Sequence, residues 1–140
     1  MRAGLIAFAV LALALASAAQ AAPVLVSDAV IHPAPKGLPV TAAYMTLANP
    51  GARPVALTGA SCGCAASVAA HESVEHGHMM HMQPAGPVMI AAHGKVTFKP
   101  GGLHLMVMGL KRDIHPGDRV PMTLHFGKAG TQTVMFTAGR

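Results

Sequence analysis

What most constrains this chain is its punctuation. Turn-forming clusters recur at short intervals: Pro35-Lys36-Gly37, Asn49-Pro50-Gly51, Gly86-Pro87, Pro100-Gly101-Gly102, Pro116-Gly117-Asp118 and Lys128-Ala129-Gly130. Between them lie short runs that read as strands: residues 24–31, 40–47, 55–60, 67–74, 88–90, 95–98, 103–107, 120–126 and 131–137. Pro lacks the N–H that a central strand must donate, and Gly pays for order with entropy, so these clusters end strands. Helical periodicity is nearly absent after residue 23. Strands separated by turn signals every ~8–12 residues predict an all-β fold, an antiparallel β-sandwich or barrel.

The first residues read differently. Arg2 precedes an unbroken run of apolar and small residues, closed by Ala19-Gln20-Ala21-Ala22-Pro23. A basic start, a Leu-rich middle and an A-x-A end mark a secretory signal peptide. Residues 1–21 are assigned to it, with cleavage after Ala21. Residues 22–140 then form one β-sandwich domain, placed in the periplasm. An uncleaved anchor is the competing reading, since the run approaches the ~20 residues needed to span a bilayer.

Several function classes are excluded early. The net charge is +5, but the basic residues are scattered and aromatics make up only 4%. No basic run with interleaved aromatics exists, which argues against nucleic acid. There is no phosphate-binding Gly-rich loop and no G-x-S-x-G elbow. The five carboxylates form no paired-acid arrangement. Cys62-Gly63-Cys64 lacks the C-x-x-C spacing and βαβ context of thioredoxin-like enzymes. A binding protein, not an enzyme, is expected.

The chain has nine His and ten Met, many of them between His71 and Met108. In strand 103–107, Leu103, Leu105 and Val107 face one way, and His104, Met106 and Met108 the other. His104 and Met106 are thus neighbours on one face, ~6.6 Å apart along the strand. Imidazole and thioether are neutral, borderline-to-soft donors, a mixture that favours Cu(I) over hard cations. A second pair is expected from a hairpin over residues 71–82. With His76-Gly77 as the central residues of a tight turn, His71 would stand directly opposite Met82. The four residues make a His2Met2 set: His71, Met82, His104 and Met106.

Their spacing, His-x10-Met-x21-His-x-Met, resembles that of the periplasmic copper chaperones of the PCuAC type. The likeness extends to Ala42-Ala43-Tyr44-Met45, Asn49-Pro50-Gly51, the run from Lys99 to Met106, Gly109-Leu110-Lys111 and Gly117-Asp118. It covers most of residues 24–137. The resemblance implies a cupredoxin-like Greek-key β-sandwich that binds one Cu(I) per monomer. It also implies delivery to the binuclear copper centre of cytochrome c oxidase or to another periplasmic copper protein. Copper buffering or resistance without a dedicated acceptor is the alternative.

Two features depart from the family. The hairpin turn is histidine-rich, with His76, His78 and His81 either a solvated polar turn or an auxiliary Cu(II) site. Cys62 and Cys64 allow three readings: a strained, labile disulfide engaging a thiol–disulfide partner, a dithiolate Cu(I) site, or a loop pair without metal chemistry. The reading preferred is a labile pair outside the main site. Tyr44 is expected to be buried, His32 to be a solvated loop residue, and Met45, Met89, Met108, Met122 and Met135 to pack in the core.

Histidine must be neutral to bind metal, and free imidazole titrates near ~6.5, whereas thioether is never protonated. Protons therefore compete only for the imidazole half of the set. Cu(I) affinity is expected to hold above pH 7 and to weaken as pH falls below about 6. A competition assay with a Cu(I) chelator from pH 7.5 to 5 checks this; a flat profile would contradict two-imidazole binding.

Overall fold

The computed structural model describes residues 24–139. The assigned signal segment lies outside the described residues. Eleven strands follow in chain order: β1 Leu25–Ile31, β2 Val40–Ala48, β3 Val55–Leu57, β4 Gly59–Ser61, β5 Ala65–His76 and β6 Met79–Pro84. Then come β7 Val88–Ile90, β8 Lys95–Thr97, β9 Leu103–Leu110, β10 Arg119–His125 and β11 Thr131–Ala138. A single 3-10 turn, Gly127–Ala129, joins the last two.

The main sheet runs β1-β11-β10-β4-β5-β9-β2-β8, and β1 also pairs with β2. That extra pairing closes the sheet into a barrel, with β8 and β6 as extensions. Closure depends on an irregularity in β1. The β1–β2 register shifts between Ser27 and Val30, where Asp28 has φ 52°. Beyond it, Val30 and Ile31 pair with Thr137 and Ala138 of β11 in parallel. A bulge of this kind bends a strand and lets it turn a corner. The all-β expectation is met, and the sheet is barrel-like.

Period-two alternation sets the core. Ala43, Met45 and Leu47 of β2, Leu105 and Val107 of β9, Val120, Met122 and Leu124 of β10, and Phe136 of β11 are all buried. Strands β3 and β7 form a separate two-stranded sheet that adds Leu57 and Ile90 to the core. The sequence suggests one strand over residues 55–60, but the chain breaks at Thr58. There the Thr58 N–H and Oγ1–H both donate to the His125 carbonyl, at 2.8 and 3.1 Å. This hands β3 to β7 and β4 to β10.

The methionines and Tyr44 divide by strand parity. Met45 and Met122 are buried as expected. Met89 and Met135 are exposed, and Met108 is half-buried on the outer face. Tyr44 also lies on the outer face, half-buried, because inward Ala43 and Met45 force it there. Asn49, just past the end of β2, is a buried polar residue. Its Nδ2 donates to the Arg53 and Ile90 carbonyls, and its Oδ1 accepts from the Gly51 N–H. That pins the turn predicted at Asn49-Pro50-Gly51.

Candidate metal centre

The centre is built on the β5–β9 ladder. His71 pairs directly with His104, and Ala69 with Met106. On the far side of β9, Met106 pairs with Ala42 of β2. Directly opposed residues share a face, so His71, His104 and Met106 lie together on the barrel's outer surface. Ala69, opposite Met106, takes little of the space beside it.

His104 is 3% exposed although it sits on the outer face. Its Nδ1 is 3.0 Å from the Gly102 carbonyl oxygen. A carbonyl can only accept, so Nδ1 carries the proton and Nε2 presents a lone pair. That Nε2 is buried and has no hydrogen-bond partner among the described residues; the same is true of His71 Nδ1. Each such orphan costs on the order of 1–3 kcal/mol. The two rings are 6.2 Å apart, centre to centre, and tilted by 60°. Imidazoles sharing one ion have centres at most ~6.4 Å apart, when their nitrogens lie trans, given metal–nitrogen bonds near 2.0–2.1 Å. The observed separation lies within that limit, and a small turn of either ring brings the nitrogens closer.

The hairpin register differs from the sequence expectation. Ser73 pairs with Met82 and His71 with Pro84, not His71 with Met82. The turn is Gly77-His78, both at positive φ (55° and 70°). Histidine tolerates this conformation better than most residues, and a tight I′ turn needs it at both central positions. The shift is two residues, so parity survives. Met82 stays on the face of His71, but as a diagonal neighbour ~7–8 Å away, with the Cβ atoms somewhat closer.

A cleft of about 380 Å³ opens on this face, lined by His104, Met106, Met82, Ser73, Tyr44 and His32 among others. Three of the four expected ligands line it; His71 is not among the lining residues but pairs directly with His104. Met82 is 67% exposed and Met106 half-buried, so the thioethers reach toward solvent while the imidazoles lie deeper. His32 and Tyr44 were not recognised as cleft residues from the sequence. Their rings meet edge-on at 5.3 Å, and the Thr41 hydroxyl donates to the His32 carbonyl at 3.0 Å. The parity of β2 was the signal that could have found Tyr44.

The auxiliary candidates separate. His76 and His81 come together on the other face of the hairpin, while His78 occupies the turn. Cys62 and Cys64 are disulfide-bonded with a Cα separation of 5.1 Å, within the usual range. Bonded in this way they offer no thiolate, so the dithiolate copper reading does not apply to this state. Cys64 borders a different hollow, with Arg112, Arg119 and Pro121, away from the histidine cleft.

The model of the LpqE-like lipoprotein family matches residues 24–138. The chain belongs to the LpqE-like family. A relative from Leifsonia xyli subsp. xyli, Lxx21020, also named as a lipoprotein, is 34% identical over 116 residues, 82% of this chain and 69% of its own length. Among solved structures, apo-DR1885 from Deinococcus radiodurans is 34% identical, with a TM-score of 0.65, over 100% of this chain and 94% of its own. The CuI-DR1885 solution structure is 35% identical, with a TM-score of 0.66, over 86% of this chain and 81% of its own. The copper-bound PCuAC domain of PmoF2 has a TM-score of 0.70 over 83% of this chain and 92% of its own. At 22% identity, that last likeness speaks to the fold. The resemblance to PCuAC domains read from the sequence is supported at the level of the family.

Proposed function

We propose that this protein is an exported Cu(I) carrier of cupredoxin-like fold. It works as a monomer in the periplasm and holds one copper ion through His71, His104, Met82 and Met106. One observation carries the reading: two buried, unpartnered imidazole nitrogens on directly paired strands, one with its tautomer fixed by Gly102, beside two thioethers at a cleft. Structural packing alone gives no reason to maintain both orphans. A soft cation would offset their cost, and hard cations prefer oxygen donors. The Cu(I) form of DR1885, similar in sequence and fold, supports the choice of ion.

The donors also suit release. All four are neutral, so the ion's charge is uncompensated, and Met82 lies in solvent where an incoming thiolate can displace it. Delivery to the binuclear copper centre of cytochrome c oxidase is proposed on the PCuAC resemblance. The exposed His- and Met-rich hairpin favours a second reading, copper buffering without a dedicated acceptor. The two are separated by mixing the Cu(I)-loaded chain with a purified acceptor domain carrying a binuclear copper site. A carrier loses most of its copper to the acceptor within the mixing experiment; a buffer keeps it. A variant with all four ligands replaced should deliver none.

A further inference from the structure

Strand β6 is exposed at all six of its residues. Met79, Met80 and Met82 are 64%, 60% and 67% exposed. Large apolar side chains gain nothing by standing in water, so three on one short strand need a reason. Strand parity supplies it. Met80 and Met82 belong to the face of His71, with Ser73 and Glu75 as their direct partners. Met79 belongs to the opposite face, where it pairs with His76, and His81 pairs with Val74. The edge strand therefore offers donors alternately to both sides of the ribbon.

On that second face the rings of His76 and His81 are 5.8 Å apart, centre to centre, and tilted by 54°. This is inside the span of ~6.4 Å that two imidazoles sharing one ion can reach. Met79 stands directly across from His76. One step beyond His81, Glu72 and Gln83 pair on the same face, with Gln83 Nε2 donating to Glu72 Oε1 at 2.8 Å. The Glu72 carboxylate adds negative charge to the face and favours a cation there. His78 stands off this ladder, in the turn.

We infer that His76, His81 and Met79 form a second copper site, for Cu(II), on the face of the β5–β6 hairpin opposite the His71/His104 cleft. Two imidazoles open to water make a nitrogen and oxygen set of the kind Cu(II) takes in tetragonal geometry, and Cu(II) stands highest among divalent ions for such donors. The thioether is a weak third ligand. The site goes beyond the Cu(I) reading and does not depend on it, because no residue is shared and the two sets face opposite ways.

The full chain, loaded anaerobically with one equivalent of Cu(I), is titrated with Cu(II) and followed by electron paramagnetic resonance. One further equivalent is expected, with coupling to two nitrogens. In the His76→Gln/His81→Gln variant, Cu(II) affinity should fall at least ten-fold while Cu(I) affinity changes less than two-fold. Met79→Leu should have a smaller effect, and His78→Gln less than a two-fold one. The His71→Gln/His104→Gln variant should lose Cu(I) and keep the Cu(II) signal. The inference is overturned if the native chain takes up no Cu(II), or if His76→Gln/His81→Gln binds it undiminished. It is equally overturned if the signal disappears with His71 and His104, which would assign the ion to the primary cleft. The Cu(I) titration reports on that cleft separately, so failure of one site is not mistaken for failure of the other.

Discussion

Replacing His104 with leucine is expected to leave the metal-free fold at least as stable while Cu(I) affinity falls more than about 100-fold, the upper end for losing a mere second-shell partner. The two effects have separate origins. In the apo protein, Nε2 is a buried atom with nothing to bond. Leucine removes that orphan and a penalty of about 1–3 kcal/mol. It also removes the Nδ1–H bond to the Gly102 carbonyl, worth about 1 kcal/mol. That carbonyl is not abandoned, because it also accepts from the Ser73 N–H at 3.3 Å. The net change is therefore near zero or slightly stabilising. Bound copper reverses the comparison. Free Cu(I) buffered 1,000-fold above its dissociation constant stabilises the native chain by about 4 kcal/mol, a rise in Tm of roughly 10–20 °C. Calorimetry with and without buffered Cu(I) should show that rise in the native chain and at most about a third of it in His104→Leu. A variant that keeps the full copper-dependent rise would remove His104 from the site.

This opposition between apo stability and metal retention also bears on what could be read from the sequence. Parity was the reliable quantity. It placed His104 and Met106 on one face of their strand and His71 and Met82 on one face of their hairpin, because a side chain's face survives any even shift of register; that the two faces coincide is seen only where β5 pairs His71 with His104 of β9. The register itself was not legible. A His-Gly-His turn offers two placements of two positive-φ residues, and only the folded chain shows Gly77-His78 in use. The choice moves Met82 from His71 to Ser73 and brings His76 within reach of His81. Closure of the sheet was also hidden. It rests on the bulge at Asp28, a residue with no turn signature around it. Tyr44 was misplaced by composition, since the chain's one tyrosine suggests a core residue while the parity of β2 turns it outward. Burial of His104 could not come from a strand pattern, which assigns a face but not what lies over it.

Substituting Gly109 with alanine is expected to cost about 2–5 kcal/mol, the largest loss for a single added methyl group on the strand that carries the site. Gly109 has φ 69°, and its N–H donates to the Pro39 carbonyl at 2.9 Å. The backbone must enter the left-handed region there, at about 1–2 kcal/mol for an L side chain. A Cβ at this position would also lie 2.9 Å from the Ala66 Cβ on the neighbouring strand β5. Neither partner is the flexible end of a long side chain, so the clash moves backbone, typically for another 1–3 kcal/mol. For a domain of this size the sum lowers Tm by roughly 5–25 °C. The two contributions separate in a double-mutant cycle. Ala66→Gly in the Gly109→Ala background removes the contact but not the dihedral strain, so it should recover about 1 kcal/mol despite the cost of a second glycine in a strand. No coupling between the two positions would mean that the strain is all in the backbone. Cu(I) affinity measured well below the transition should change less than about three-fold. His71 and His104 pair further along the same ladder, and each metal-binding side chain takes its face from parity, which a local distortion at Gly109 leaves unchanged.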